Sequence, residues 1–241
     1  MKAWQKVGII TLIVLIAVGI RVYFIYRERH QPAVQPQHVA ERQLTRDELV
    51  VPRKLYIDSI DSAKALDGKT VWVQSGYSLD YYPYASHRVE FSHPAGVLPS
   101  VQALQIKDII TQKAPASLAT RVPKGDKQVF AVFTMPTDPG KDYATAIGFV
   151  QGADSTFFCD QVFYYDDPHQ MYNFWGPKIW AAIDQHHPIP GMNELQTAMA
   201  LGVVQQSESS QIGNRTVHYI AGDQHWTVTF QNDKATTIKQ G

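Results

Sequence analysis

The sequence predicts an α+β protein on a membrane tether. It comprises an N-terminal transmembrane helix, a small antiparallel β-barrel, and a helix–helix–β-meander (ααβββ) unit. Three observations predict this. Val7 to Ile20 is an unbroken apolar run. From about Lys64 to Tyr165, short alternating or wholly apolar runs are punctuated by turn residues. After Asp166-Asp167-Pro168 the apolar period becomes helical and then returns to that of strands. The expected boundaries are 1–26 for the anchor, 27–48 for a juxtamembrane linker, 49–168 for the β-rich domain and 169–241 for the last unit.

The anchor comes first. Val22-Tyr23-Phe24-Ile25-Tyr26 extends the apolar run past Arg21. The stretch is about 20 residues, which as a helix covers roughly 30 Å of hydrocarbon. Arg21 can snorkel to the interface, and Tyr23 and Tyr26 suit an aromatic belt. The rival is a cleaved signal peptide, with small residues at Ala17-Val18-Gly19. The apolar run continues beyond that point, which favours an uncleaved single-pass anchor. Lys2 and Lys6 precede the helix while Arg21, Arg27 and Arg29 follow it, so the positive-inside count alone does not favour an exported C-terminus. From Arg27 to about Glu48 the chain is polar and reads as a solvated spacer, with membrane lipid as the partner of the helix.

Composition bounds the function. The chain has 241 residues, with Lys+Arg and Asp+Glu each at 22. A formal net charge of zero argues against a nucleic-acid binder, which needs a basic excess. The single cysteine, Cys159, forms no internal disulfide. With 12 Tyr, 10 Phe and 5 Trp, the chain can build a core and still present aromatics outside.

The β-rich domain follows from local pattern. Asp67-Gly68 is a turn pair before a strand at 69–74, and 87–91 and 103–109 alternate. In the second of these, Leu104, Ile106 and Asp108 fall on one side. Residues 128–134 are apolar throughout, as in a strand buried on both faces. Residues 143–150 and 156–165 complete the set, with turns at Asp138-Pro139-Gly140 and Gln151-Gly152-Ala153-Asp154. Six short strands without a long amphipathic helix predict an SH3-like barrel.

In the last unit, Gly176-Pro177 opens a helix with Ile179, Trp180 and Ile183 on one face. His186-His187-Pro188 ends it. Asn193 caps a second helix bearing Leu195, Ala198, Met199 and Leu201, and Gly202 stops it. Three strands follow at 215–220, 225–230 and 235–239, with Trp226, Val228 and Phe230 on one face and a turn at 231–234.

Gly191-Met192 before this second helix, Leu201-Gly202 at its end, and aromatic strand residues Tyr219 and Phe230 carry a resemblance. This segment resembles the BamE (SmpA/OmlA) family of envelope lipoproteins over roughly the last 50 residues. It departs from the family in having Val203-Val204 after Leu201-Gly202, Val217-His218-Tyr219 in place of the usual aromatic triplet, and no lipidated cysteine. The resemblance implies a non-catalytic, envelope-facing module. It thereby implies a bacterial inner-membrane protein with periplasmic C-terminal domains and an envelope protein as partner. The rest of the chain is similar to uncharacterised bacterial membrane-anchored proteins.

Candidate chemistry is sparse. Asp160, Asp166, Asp167 and His169 are the densest set of potential metal ligands. A small metal-dependent hydrolase using Asp166, Asp167 and His169 is therefore the alternative function. The ordinary account of Asp166-Asp167-Pro168-His169 is a turn whose carboxylates bond nearby N–H groups. His186-His187 suits the negative end of a helix, and Cys159, between Phe157 and Phe163, reads as a buried thiol. No G-x-S-x-G, H-E-x-x-H, Walker A or G-x-G-x-x-G pattern appears, so neither cofactor nor catalytic residue is assigned. Tyr77, Tyr81, Tyr82 and Tyr84, in a loop between strands, are the candidate interaction surface for a protein or, alternatively, a peptidoglycan glycan. Tyr164, Tyr165, Tyr172, Trp175 and Trp180 are expected to join the two domains.

Overall fold

The computed structural model describes residues 15–27, 44–113, 115 and 126–241. Residues 15–27 are helical (α1), and the first half of the expected anchor and most of the linker lie outside the described residues. Arg46–Gly241 form one compact unit, the body, which is mixed α+β and dominated by antiparallel sheets.

The body opens with an extended segment, 46–57, then a one-turn helix α2 (Ile60–Ala63). Ser59 caps α2 reciprocally with Ser62. The first sheet comprises β1 (Thr70–Val73), β2 (Asp80–Ala85), β3 (Arg88–Val89), β4 (Gly96–Val97), β5 (Ala103–Gln112), β6 (Lys127–Met135), β7 (Asp138–Gln151), β8 (Asp154–Phe157) and β9 (Phe163–Tyr164). A short helix, α3 (Cys159–Val162), sits between β8 and β9. The strands run in the order β3-β2-β7-β6-β5-β1-β9, with β4 on β2 and β8 on β7.

The sheet does not close, so the barrel expectation is corrected: among the described residues β3 and β9 are free ends. The nearest approach to closure is one side chain. The Gln112 amide accepts from Val89 N–H at 2.8 Å and donates to Val89 C=O at 3.1 Å. One amide replaces what in a barrel would be a full backbone ladder.

As expected, β6 is buried on both faces. Val129, Ala131, Phe133 and Met135 join the main cluster with Val71, Leu104, Ile106 and Phe163. Phe130 and Val132 join a smaller cluster with Val89 and Ala144, against which Tyr82, Tyr84 and Phe91 pack. In β5 a bulge between Ile106 and Asp108 shifts the alternation, so Ile109 rather than Asp108 turns inward. The turn expected at Asp138-Pro139-Gly140 moves two residues earlier: Pro136-Thr137 link Met135 to Asp138, and Asp138 already belongs to β7. The single strand expected over 156–165 is split by α3, because the chain must leave β8 and cross to the far edge beside β1.

The second lobe contains α4 (Pro168–Met171), α5 (Pro177–Asp184) and α6 (Glu194–Leu201), then β10 (Val203–Ser207), β11 (Thr216–Ala221), β12 (Gln224–Gln231) and β13 (Lys234–Gln240). The sheet is a four-stranded meander, β10-β11-β12-β13, one strand more than the sequence pattern gives. Its inner face (Val217, Tyr219, Trp226, Val228 and Phe230) packs with Ile183, Met199 and Leu201 of the helices. Asn193 caps α6 as expected, and the Gln196 side chain completes a reciprocal capping box. Gly202 ends α6 at φ 91°, and its carbonyl accepts from Gly76 N–H of the first lobe at 3.1 Å. The Gly191-Met192 pair explains itself in the same way. Gly191 N–H donates to Ala235 C=O, Ala235 N–H donates to Met192 C=O, and the Met192 side chain is wholly buried. Asn232 and Asp233, at φ 51° and 58°, make the tight β12–β13 turn.

Candidate interaction site

The two lobes meet over an aromatic column. The His169 ring stacks on Trp180 at 4.1 Å, Trp180 lies 5.2 Å from Trp175, and Trp175 stacks on Tyr172 at 4.4 Å. Trp180 donates its indole N–H to the Tyr172 carbonyl at 3.1 Å. Tyr164, from the edge strand of the first sheet, is buried in the same cluster, and Trp72 packs against it. The expected aromatic joint therefore forms, except that Tyr165 turns into the core of the first lobe.

Across this joint runs a strap that sequence reasoning assigns to the linker and the domain start. The Arg46 guanidinium lies 4.2 Å over the Phe174 ring. Asp47 accepts from the Trp175 indole N–H at 2.7 Å and from the Asn193 side-chain amide. Arg53 donates to the Tyr165 carbonyl at 2.9 Å and pairs with Asp166 at 3.0 Å. Leu55 and Tyr56 each donate a backbone N–H to Asp160, at 3.0 and 2.8 Å, and the Tyr165 hydroxyl donates to the same carboxylate at 2.7 Å. Ile57 then enters the main core. Residues 46–48 thus belong to the body, not to a solvated spacer. The one signal in the sequence is the apolar Leu49-Val50-Val51 that breaks the polar linker.

The candidate metal ligands separate into structural pairs. Asp160 and Asp166 hold the strap, as above. Asp167 caps α4 by accepting from His169 N–H at 2.9 Å. His169 lies between two carboxylates, with Nδ1 3.0 Å from Asp167 and Nε2 3.0 Å from Asp184. Among the described residues no group of three or more His, Cys, Asp and Glu side chains is placed to hold a metal ion. Cys159 is buried, on α3 rather than on a strand, and burial pushes its thiol up to about 12. His187 packs edge-to-face against Trp226.

The tyrosines also sort by structure. Tyr81, Tyr82 and Tyr84 lie on β2, not in a loop. Tyr81 packs on the main core beside Phe133 and Tyr143, and Tyr82 meets Phe91 on the opposite face. Burial raises the hydroxyl pKa of Tyr82 and Tyr84. Of the four, Tyr77 is the exposed one, at 38%.

Asp160 gives a prediction. Burial pushes its carboxyl up, but the bonds from Leu55, Tyr165 and Tyr56 and the charge of Lys54 outweigh burial, so the net shift is downward. A carboxyl depressed on folding stabilises above its unfolded value near 3.8 and loses that contribution as pH falls below it. Asp160→Asn is expected to cost about 1–3 kcal/mol at pH 7. Its cost should shrink on acidification, read by urea melts and by amide exchange at Leu55 and Tyr56. A cost independent of pH would remove the carboxylate from this role.

No protein-family model matches the chain, and no curated protein and no solved structure matches it.

Proposed function

We propose that this chain is a single-pass membrane-anchored protein of the bacterial cell envelope, with its body in the periplasm, acting in protein–protein interaction or scaffolding without catalysis. One observation carries the anchoring. On α1 the large apolar side chains Leu15, Ile16, Val18, Ile20, Val22, Phe24 and Ile25 are all exposed. Apart from Arg21 and Arg27, α1 carries no charged side chain, and so much exposed apolar surface suits a lipid surrounding. Among the described residues no helix is long and apolar enough to cross a membrane. The span as proposed runs from Val7, through residues outside that set.

The interaction reading is supported by how the body uses its polar groups. Asp166, Asp167 and His169, the residues of the hydrolase alternative, are engaged by Arg53, by the cap of α4 and by Asp184 respectively. The likeness to BamE-type modules is supported by the duties of Gly191-Met192 and Leu201-Gly202 at the two ends of α6 and by the aromatic inner face of the meander. Tyr77 is the foremost of the four tyrosines as a contact residue, because it is the exposed one.

Membranes from expressing cells, washed at alkaline pH, are expected to retain the full chain, and protease added to spheroplasts is expected to degrade the body. Release by the wash would overturn the anchor, and protection from protease would overturn the periplasmic placement. A photo-crosslinking residue at position 77 is expected to give one discrete adduct with an envelope protein. Its absence there and at position 84 would remove the tyrosine surface.

A further inference from the structure

We infer that the strap between Leu49 and Tyr56 is a second, peripheral membrane contact, through which the body itself rests on the lipid surface. The inference builds on the anchoring proposed above and adds where the body meets the bilayer.

Six large apolar side chains of the described body are exposed: Leu49, Val51, Tyr56, Tyr77, Val97 and Ile212. Scattered singly over a surface they would need no explanation. Half of them, however, fall within 49–56, and two of these are the most exposed of the six, Val51 at 85% and Tyr56 at 79%, with Leu49 at 64%. The exposure is not that of a fraying end. The strap is held by the Asp47 contact before it and by the Arg53 and Asp160 contacts within it, and Val50 and Ile57 are packed into the two cores.

Tyr56 adds an independent sign. Its backbone sits at φ 51°, in the left-handed region that bulky residues rarely occupy. Asp160 fixes it there through the Tyr56 N–H, with the ring projected into solvent. Such strain is expected where a side chain is presented to something.

The chemistry of the strap selects lipid as the occupant. Aliphatic side chains, a tyrosine and the neighbouring exposed Lys54 make up the usual interfacial set, with the apolar groups entering the headgroup boundary and the cation facing anionic lipid. Covalent length favours the same surface. The chain between Arg27 and Leu49 spans at most roughly 75 Å even fully extended. An anchored body is thereby kept at high effective concentration against the bilayer, and three weak apolar contacts suffice.

The test uses the full chain in vesicles of phosphatidylcholine and phosphatidylglycerol, with single cysteines carrying an environment-sensitive fluorophore. The native Cys159 is buried and does not compete for label at neutral pH. Labels go at Tyr23→Cys on α1, Val51→Cys on the strap and Ile212→Cys on the second lobe, all at exposed positions that tolerate substitution. Spin-labelled lipids carrying a shallow quencher are expected to quench positions 23 and 51, with position 51 quenched about threefold or more above position 212. Quenching at 23 but not at 51 overturns the strap contact and leaves the anchor standing. Quenching at neither overturns the anchor and this inference together. A blue shift at position 51 without lipid quenching assigns the strap to a protein partner and also overturns the inference. Tyr56→Ser with Leu49→Ser is expected to lower the quenching at position 51 while leaving that at position 23 unchanged. Undiminished quenching would deny these side chains the role.

Discussion

Replacing Gly148 with alanine is expected to destabilise the body by about 3 kcal/mol, lowering Tm by roughly 6–12 °C for a unit of this size. A Cβ at this position stands 2.3 Å from the Thr156 carbonyl oxygen and 3.0 Å from the Phe157 ring. Neither neighbour is free to move. Gly148 is paired with Phe157 on one side and with Val129 on the other, so β7 cannot retreat without disturbing two ladders. The β6–β7 register shifts beside it, between Val129 and Phe130, and the Ile147 carbonyl accepts from Phe158 N–H at 3.0 Å. Gly148 is therefore the point where β8 turns close over β7 on the way to α3. Urea melts of the purified protein measure the effect. A change below about 0.5 kcal/mol would mean that β8 yields freely and that the close approach is unimportant.

Trp180→Ala is expected to cost as much or more, about 3–5 kcal/mol, the range for deleting a buried aromatic. The indole is buried, stacked against His169, close to Trp175, and bonded to the Tyr172 carbonyl. Its removal leaves a cavity in the joint and takes one of two donors from the Tyr172 carbonyl, which keeps the Trp175 N–H. Trp180→Phe refills much of the volume and is expected to cost about 1–2 kcal/mol, mostly the lost hydrogen bond. Amide exchange distinguishes a joint from an ordinary core position. If the column holds the lobes together, exchange in the strap should accelerate with that in α5. Acceleration confined to α5 would show that the column stabilises the second lobe alone.

Local pattern made much of this fold legible. The apolar run Val129–Phe133 within 128–134 reads as a doubly buried strand because both its neighbours and both its faces are covered. Asn193 and Gly202 mark the ends of α6 because caps are chemistry within a few residues. Trp226, Val228 and Phe230 share a face because one side of that sheet is buried. What the pattern missed was decided over distance. β10 is a strand because it pairs with β11 across an intervening loop, while its own sequence follows a helix stop without a turn signal. Residues 159–162 lie between aromatic, strand-like flanks but turn helical to carry the chain from one sheet edge to the other. The tyrosines of β2 read as a loop because Pro83 interrupts them, yet Pro83 sits on the strand and pairs in register with Tyr143. The strap was invisible for the same reason. Its partners, Trp175, Asn193, Asp160 and Asp166, lie more than a hundred residues away. No sequence window joins a polar linker to them.

That separation bears on how the protein comes into being. The strap leaves the ribosome before any of its partners has been made, and its first acceptor, Asp160, follows only after the whole β2–β8 stretch. Asn193 and Trp175 come later still. In a nascent chain emerging N-terminus first, this segment must wait, its greasy side chains unshielded, while sheet and helices assemble behind it. The earliest-made part of the body is thus fully fastened only once the chain has been made as far as Asn193.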